Sequence, residues 1–106
     1  MVKVTFIQPD GASLIVDMPA GGSVMEGAVA GQVPGILAEC GGNMQCSTCH
    51  CYVEADWYDR LPAPEDGERM LIEFAWEPGA TSRLTCQLQV DGALNGLVLR
   101  VPARQL

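Results

Sequence analysis

Apolar residues, β-branched and aromatic, crowd the run Val2-Lys3-Val4-Thr5-Phe6-Ile7, which predicts a strand. Turn chemistry follows at Pro9-Asp10-Gly11. A second apolar run, Ser13-Leu14-Ile15-Val16-Asp17-Met18, then completes a hairpin. Pro19-Ala20-Gly21-Gly22 breaks the pattern. Ser23-Val24-Met25-Glu26 has the spacing of a capping box, Ser23 as N-cap and Glu26 three residues on. Val24, Ala28 and Gly31 define a short helix ending near Gly31 or Gln32, stopped by Val33-Pro34-Gly35.

Residues 49–54 predict a strand and 55–59 a single helical turn. Pro62 and Pro64 exclude a helix interior there. A helix is predicted over 65–76, its first turn rich in acids that favour the positive end of the dipole. Asp66 and Glu73, seven apart, share a face. Met70, Leu71, Ile72 and Phe74 do not fall in one stripe, so the pattern leaves open which of them faces the core. Pro78-Gly79 ends this helix, and residues 83–90 predict a strand carrying Cys86. After turns at Asp91-Gly92 and Asn95-Gly96, Leu97-Val98-Leu99-Arg100-Val101 is the last strand. Four or five strands with two or three helices make an α+β domain, and residues 1–106 read as a single domain.

Charge adds a second layer. The net charge is −7. Glu54 to Glu77 holds eight acids and two bases, a local −6, so the excess is concentrated on one segment. Such a field disfavours nucleic acid and anionic membrane surfaces and attracts a basic protein patch. Apolar runs are short, and the N-terminus lacks the pattern of a targeting segment, so no membrane span is expected, and a cytoplasmic location or a mature form whose targeting segment is gone.

The cysteines decide the chemistry. Four of five lie in Cys40-Gly41-Gly42-Asn43-Met44-Gln45-Cys46-Ser47-Thr48-Cys49-His50-Cys51, and the fifth is Cys86. An odd number argues against a closed disulfide framework and for a metal site. Thiolates suit zinc, copper(I) and iron–sulfur clusters. Zinc ribbons offer two separate Cys-x2-Cys knuckles, whereas this chain has one. The spacing Cys-x5-Cys-x2-Cys with a distant fourth cysteine is one residue longer than the plant-type pattern for a two-iron cluster. Cys40, Cys46, Cys49 and Cys86 are therefore the expected ligands of one 2Fe-2S cluster. Gly41 and Gly42 permit close backbone approach, and Ser47 and Thr48 are small residues able to donate to its sulfurs.

Cys40-Gly41-Gly42 … Cys46-Ser47-Thr48-Cys49-His50, together with Ser82-Arg83-Leu84-Thr85-Cys86-Gln87, resembles the adrenodoxin and putidaredoxin family of 2Fe-2S ferredoxins, along the whole chain. The resemblance implies a β-grasp fold with a cluster-binding loop. It also implies a one-electron carrier rather than an enzyme, working from an FAD-containing, NAD(P)H-dependent ferredoxin reductase to an oxygenase, either a cytochrome P-450 or a Rieske ring-hydroxylating dioxygenase. Iron–sulfur cluster assembly is the alternative recipient, and a zinc-stabilised binding module is the alternative from another class. Cys51 is expected as a buried small hydrophobe, because the family has an aliphatic residue there. His50 is expected to be structural, bonded to backbone and tying the loop to the acidic helix, with Arg83 anchoring the core near the cluster. Glu39, Asp66 and Glu73 are the expected docking acids. Met44 and Gln45, which depart from the family's small residues, are candidate partner contacts, and Met70 stands where some members carry an acid. The carrier is expected to be a monomer that forms transient complexes.

Overall fold

The computed structural model describes residues 1–36, 49–103 and 105. Its sheet has five strands in the order β2-β1-β5-β3-β4: β1 (Val2–Ile7), β2 (Ser13–Met18), β3 (His50–Val53), β4 (Ser82–Leu84) and β5 (Leu97–Arg100). The β1–β2 hairpin is antiparallel, Val4 opposite Val16. β1 and β5 are parallel, Phe6 opposite Leu99. β3 runs antiparallel to both β5 and β4. Helices α1 (Val24–Ala30), α2 (Ala55–Tyr58) and α3 (Asp66–Ile72) complete an α+β, β-grasp arrangement, with 3-10 turns at Thr85–Gln87 and Gly92–Leu94.

Period-two burial explains β1, an interior strand of the sheet. Val2, Val4 and Phe6 are buried while Lys3 is exposed. β5 matches it with Leu97 and Leu99 buried. β2 lies at the sheet edge, where Leu14 and Ile15 stay exposed and only Met18 is fully buried. The predicted capping box closes α1: Ser23 Oγ accepts from the Glu26 amide at 3.1 Å, and Glu26 accepts from the Ser23 amide at 2.9 Å. Gly27 lets α1 settle on β2, since a Cβ there would collide with the Met18 thioether.

Two boundaries differ from expectation. α3 spans Asp66–Ile72 rather than 65–76, with Glu65 as N-cap. Its end tightens into i→i+3 bonds, Phe74 N–H to Leu71 and Ala75 N–H to Ile72, both 3.0 Å, and Glu77 then takes a left-handed φ of 44°. The strand predicted over 83–90 is only β4, after which the chain turns at Thr85–Gln87, so Cys86 sits on a 3-10 turn and not on a strand. Downstream, Gln89 makes a single bridge to Ser23.

Candidate metal centre

Cys49 ends the turn that enters β3 and is 1 % exposed. Cys86 is half-buried on the 85–87 turn. Thr85 joins the two segments. Its amide donates to the Cys49 carbonyl at 3.1 Å and its hydroxyl donates to the same oxygen at 2.8 Å. The Cys49 and Cys86 thiols consequently face each other within hydrogen-bonding reach. The neighbouring Cys86 thiol, and secondarily burial, push the Cys49 thiol far up from its ordinary value. Binding one metal centre would draw the protons from both thiols, and soft sulfur donors fit a thiolate-ligated iron–sulfur group. Gln87 adds a donor, its Nε2 lying 3.5 Å from Cys86 Sγ. Thr85 and Gln87 carried no motif signal beyond their places beside Cys86.

The predicted residues Glu39, Cys40, Gly41, Gly42, Met44, Gln45, Cys46, Ser47 and Thr48 lie outside the described residues. Among the described residues no group of three His, Cys, Asp or Glu is placed to hold a metal. Cys51 is fully buried, and burial pushes its thiol up, so it packs as a small neutral side chain.

His50 is fully buried, and desolvation lowers its pKa to about 4, leaving a neutral ring at pH 7. Its bond differs from expectation. Nε2 meets the Ser82 hydroxyl at 2.7 Å rather than a backbone group, because Ser82 sits on the adjacent strand of the short β3–β4 ladder. Ser82 Oγ also accepts from the Gly79 amide at 2.8 Å, so the histidine ties β3 to the turn that follows α3. The Tyr52 ring stands edge-on to His50, centroids 4.8 Å apart at 75°. The His50 carbonyl accepts from Gln105 Nε2 at 2.9 Å, and the same amide donates to Gly35 at 2.8 Å, which pins the C-terminal end beside β3.

Arg83 is buried against Glu68 in a two-pronged pair, Nε to Oε2 at 2.7 Å and Nη2 to Oε1 at 3.1 Å. Arg83 Nη1 also donates to the Pro62 carbonyl at 2.7 Å. Glu68 Oε2 accepts the Leu84 amide at 3.0 Å. Glu68, one of the eight acids between Glu54 and Glu77, is 2 % exposed and fastens α3 to the strand that leads to Cys86. Asp66, the first residue of α3, and Glu73, its C-cap, are both exposed, on the side opposite Glu68.

A mixed sheet with two facing thiols at the entry to β3, in a chain whose sequence places four cysteines in the twelve residues from Cys40 to Cys51, defines a class of protein: a small thiolate-ligated iron–sulfur electron carrier. The 2Fe-2S iron-sulfur cluster binding domain family matches residues 7–91, and the chain belongs to that family as a ferredoxin of the putidaredoxin and adrenodoxin type. It is 40% identical to rhodocoxin of Rhodococcus erythropolis over all of both chains. A ferredoxin from Rhodopseudomonas palustris HaA2 superposes with a TM-score of 0.95 at 44% identity, covering 98% of this chain and 99% of that one. Putidaredoxin of Pseudomonas putida is 37% identical over 99% of each chain. Its crystal structure in the covalent putidaredoxin reductase–putidaredoxin complex superposes with a TM-score of 0.90 over 96% of this chain and 99% of that one. The cofactor is one 2Fe-2S cluster, and the protein transfers electrons rather than acting as an enzyme; the zinc-module alternative gives way. No helix among the described residues is long and apolar enough to cross a membrane.

Proposed function

We propose that residues 1–106 work as one cytoplasmic domain in which Cys40, Cys46, Cys49 and Cys86 hold the cluster, and that the protein carries single electrons from an FAD-containing ferredoxin reductase to an oxygenase. The observation that carries this reading is the pairing of Cys49 with Cys86, held by the two bonds from Thr85 to the Cys49 carbonyl. The cluster, when bound, accepts and releases one electron at a time. The chain's own part is to hold the thiolates, exclude water on the Cys49 side and supply N–H donors, which favour the more negative reduced form. Gln87 is such a donor. Gly41, Gly42, Ser47 and Thr48 are assigned to the cluster's surroundings, while His50 and Arg83 hold β3 and β4.

Delivery is the task assigned to Glu39, Met44, Gln45, Asp66 and Glu73. Rim charges raise the rate of encounter and its dependence on salt. A small charge-steered contact suits short-lived complexes of a monomer. The oxygenase is a cytochrome P-450 or a Rieske dioxygenase. The reading rests on the same residues for either.

The test is reconstitution. Holoprotein, a purified FAD-containing ferredoxin reductase and NAD(P)H should sustain turnover of a P-450 or Rieske oxygenase, and the serine variants of the four ligand cysteines should lose the visible bands. Turnover confined to a cluster-assembly system would shift the recipient. Full visible bands in Cys86→Ser would overturn the ligand set.

A further inference from the structure

Helix α3 and the tightened turn that follows it, residues 66–75, present two faces. Glu68, Leu71, Ile72 and Ala75 face inward, from half-buried to buried. Asp66, Met70, Glu73 and Phe74 follow helical spacing along the outer face. Phe74 is 75 % exposed and Met70 63 %. Apart from Met1 at the terminus, no large apolar side chain among the described residues is more exposed than Phe74. Side chains of this size on a short helix do nothing for the core, and a solvated helix face is normally polar. Here each apolar residue has an acid beside it in the stripe.

The charge around the pair selects its partner. Asp66 and Glu73 enter no ion pair among the described residues. The nearby base, Arg69, bends back to donate its Nε to the Pro64 carbonyl at 3.0 Å. A second copy of this chain would set acid against acid. A surface with an apolar pocket edged by Lys or Arg matches both elements at once. Interfaces of this type draw affinity from a few central apolar anchors and on-rate from the charged rim. The other exposed apolar residues, Leu14, Ile15 and Val29, lie on β2 and α1, where Asp17 is paired with Lys3 and Glu26 closes the α1 capping box.

We propose that Met70 and Phe74 are the apolar anchor by which this carrier docks on its FAD-containing reductase, inserting into a Lys- or Arg-rimmed pocket of that enzyme. The inference rests on the electron-carrier reading above and adds the residues that set affinity. Asp66 and Glu73 steer the approach, and Phe74 and Met70 hold the complex.

Calorimetric titration of the holoprotein into a purified FAD-containing ferredoxin reductase that reduces the wild type, at low and at high salt, tests this. Phe74→Ala should weaken binding by about tenfold or more at both salt concentrations. Met70→Ala should act in the same direction, and Phe74→Leu should retain most of the affinity. Asp66→Asn with Glu73→Gln should weaken binding mainly at low salt, and Ile15→Thr should bind like the wild type. Visible spectra confirm equal cluster loading. An affinity for Phe74→Ala within about twofold of the wild type overturns the anchor while leaving the carrier reading intact. So does a wild-type dimer in sedimentation velocity that Phe74→Ala abolishes, since the face would then belong to a second copy. A loss confined to the oxygenase step assigns the anchor to that partner instead. Failure of every such reductase to reduce the wild type removes the carrier reading, and this inference with it.

Discussion

Glu68→Gln is the sharpest test of how the fold supports the site. Both members of the Glu68–Arg83 pair are enclosed, with side-chain exposures of 3 % and 4 %. Glutamine keeps the shape but removes the charge, so the guanidinium is left buried without a counter-ion. One of the carboxylate's three accepted bonds, from Arg83 Nε, Arg83 Nη2 and the Leu84 amide, must also face an NH2 group. Breaking a buried pair from one side costs about 3–5 kcal/mol, a large share of the roughly 5–15 kcal/mol that holds a domain folded. For a chain near this length, that is a fall of about 12 °C or more in the melting midpoint. The assay is thermal melting of the holoprotein, followed by far-UV dichroism and by bleaching of the visible bands. Bleaching should come no later than unfolding, because Glu68 holds the strand that precedes Cys86. The double variant Glu68→Leu/Arg83→Met should recover much of the loss, since apolar replacement of both partners removes the stranded charge. A Glu68→Gln protein that melts with the wild type would refute the reasoning. It would mean that Arg83 finds solvent or another acceptor, and that the pair does not hold α3 to β4.

Four further outcomes are expected. Cys51→Ser should keep the visible spectrum while losing about 1–3 kcal/mol in denaturant unfolding, because a hydroxyl replaces a fully buried thiol; bleaching would make Cys51 a ligand. Ser82→Ala strips His50 Nε2 and the Gly79 amide of their common partner, and should cost about 1–3 kcal/mol by the same measurement. Gln32 has a φ of 57° just past the end of α1, so Gln32→Gly should raise stability by about 1 kcal/mol; a lower melting point would contradict this. Asp66→Asn with Glu73→Gln should slow stopped-flow reduction at low salt and flatten its salt dependence, and an unchanged slope would remove both acids from the encounter surface.

The metal chemistry was legible because ligand type and spacing are local properties of the chain. Ser23 and Glu26 announced the start of α1 for the same reason: both partners of the capping box lie within one turn. The expected strand over 83–90 failed at Cys86 because Leu84, Leu88 and Val90 are buried in a way that mimics strand alternation, while a contact from Thr85 to the distant Cys49 carbonyl imposes the turn between them. No local pattern encodes that contact. The helix expected over 65–76 was too long, since composition did not mark where its last turn tightens ahead of the left-handed Glu77. Glu68 was indistinguishable by type from Asp66 and Glu73. Its burial depends on Arg83 arriving from β4, which only the tertiary fold arranges.

That last point gives α3 its meaning. An electron carrier needs affinity low enough to let go and a geometry definite enough that the donor centre lies at a fixed distance from its partner. A surface helix that merely rested on the sheet would supply the first and lose the second, because docking on it would leave the cluster free to shift relative to the bound enzyme. Here the inner face of α3 sends Glu68 into Arg83 and the Leu84 amide, directly before the turn that carries Cys86. The outer face carries the acids and the apolar pair. A load applied at Asp66 or Phe74 is therefore transmitted through a buried charged clamp to the segment that carries Cys86, the proposed cluster ligand. Weak contacts on the outside can stay weak, because the rigidity that orients the electron's path is built on the inside.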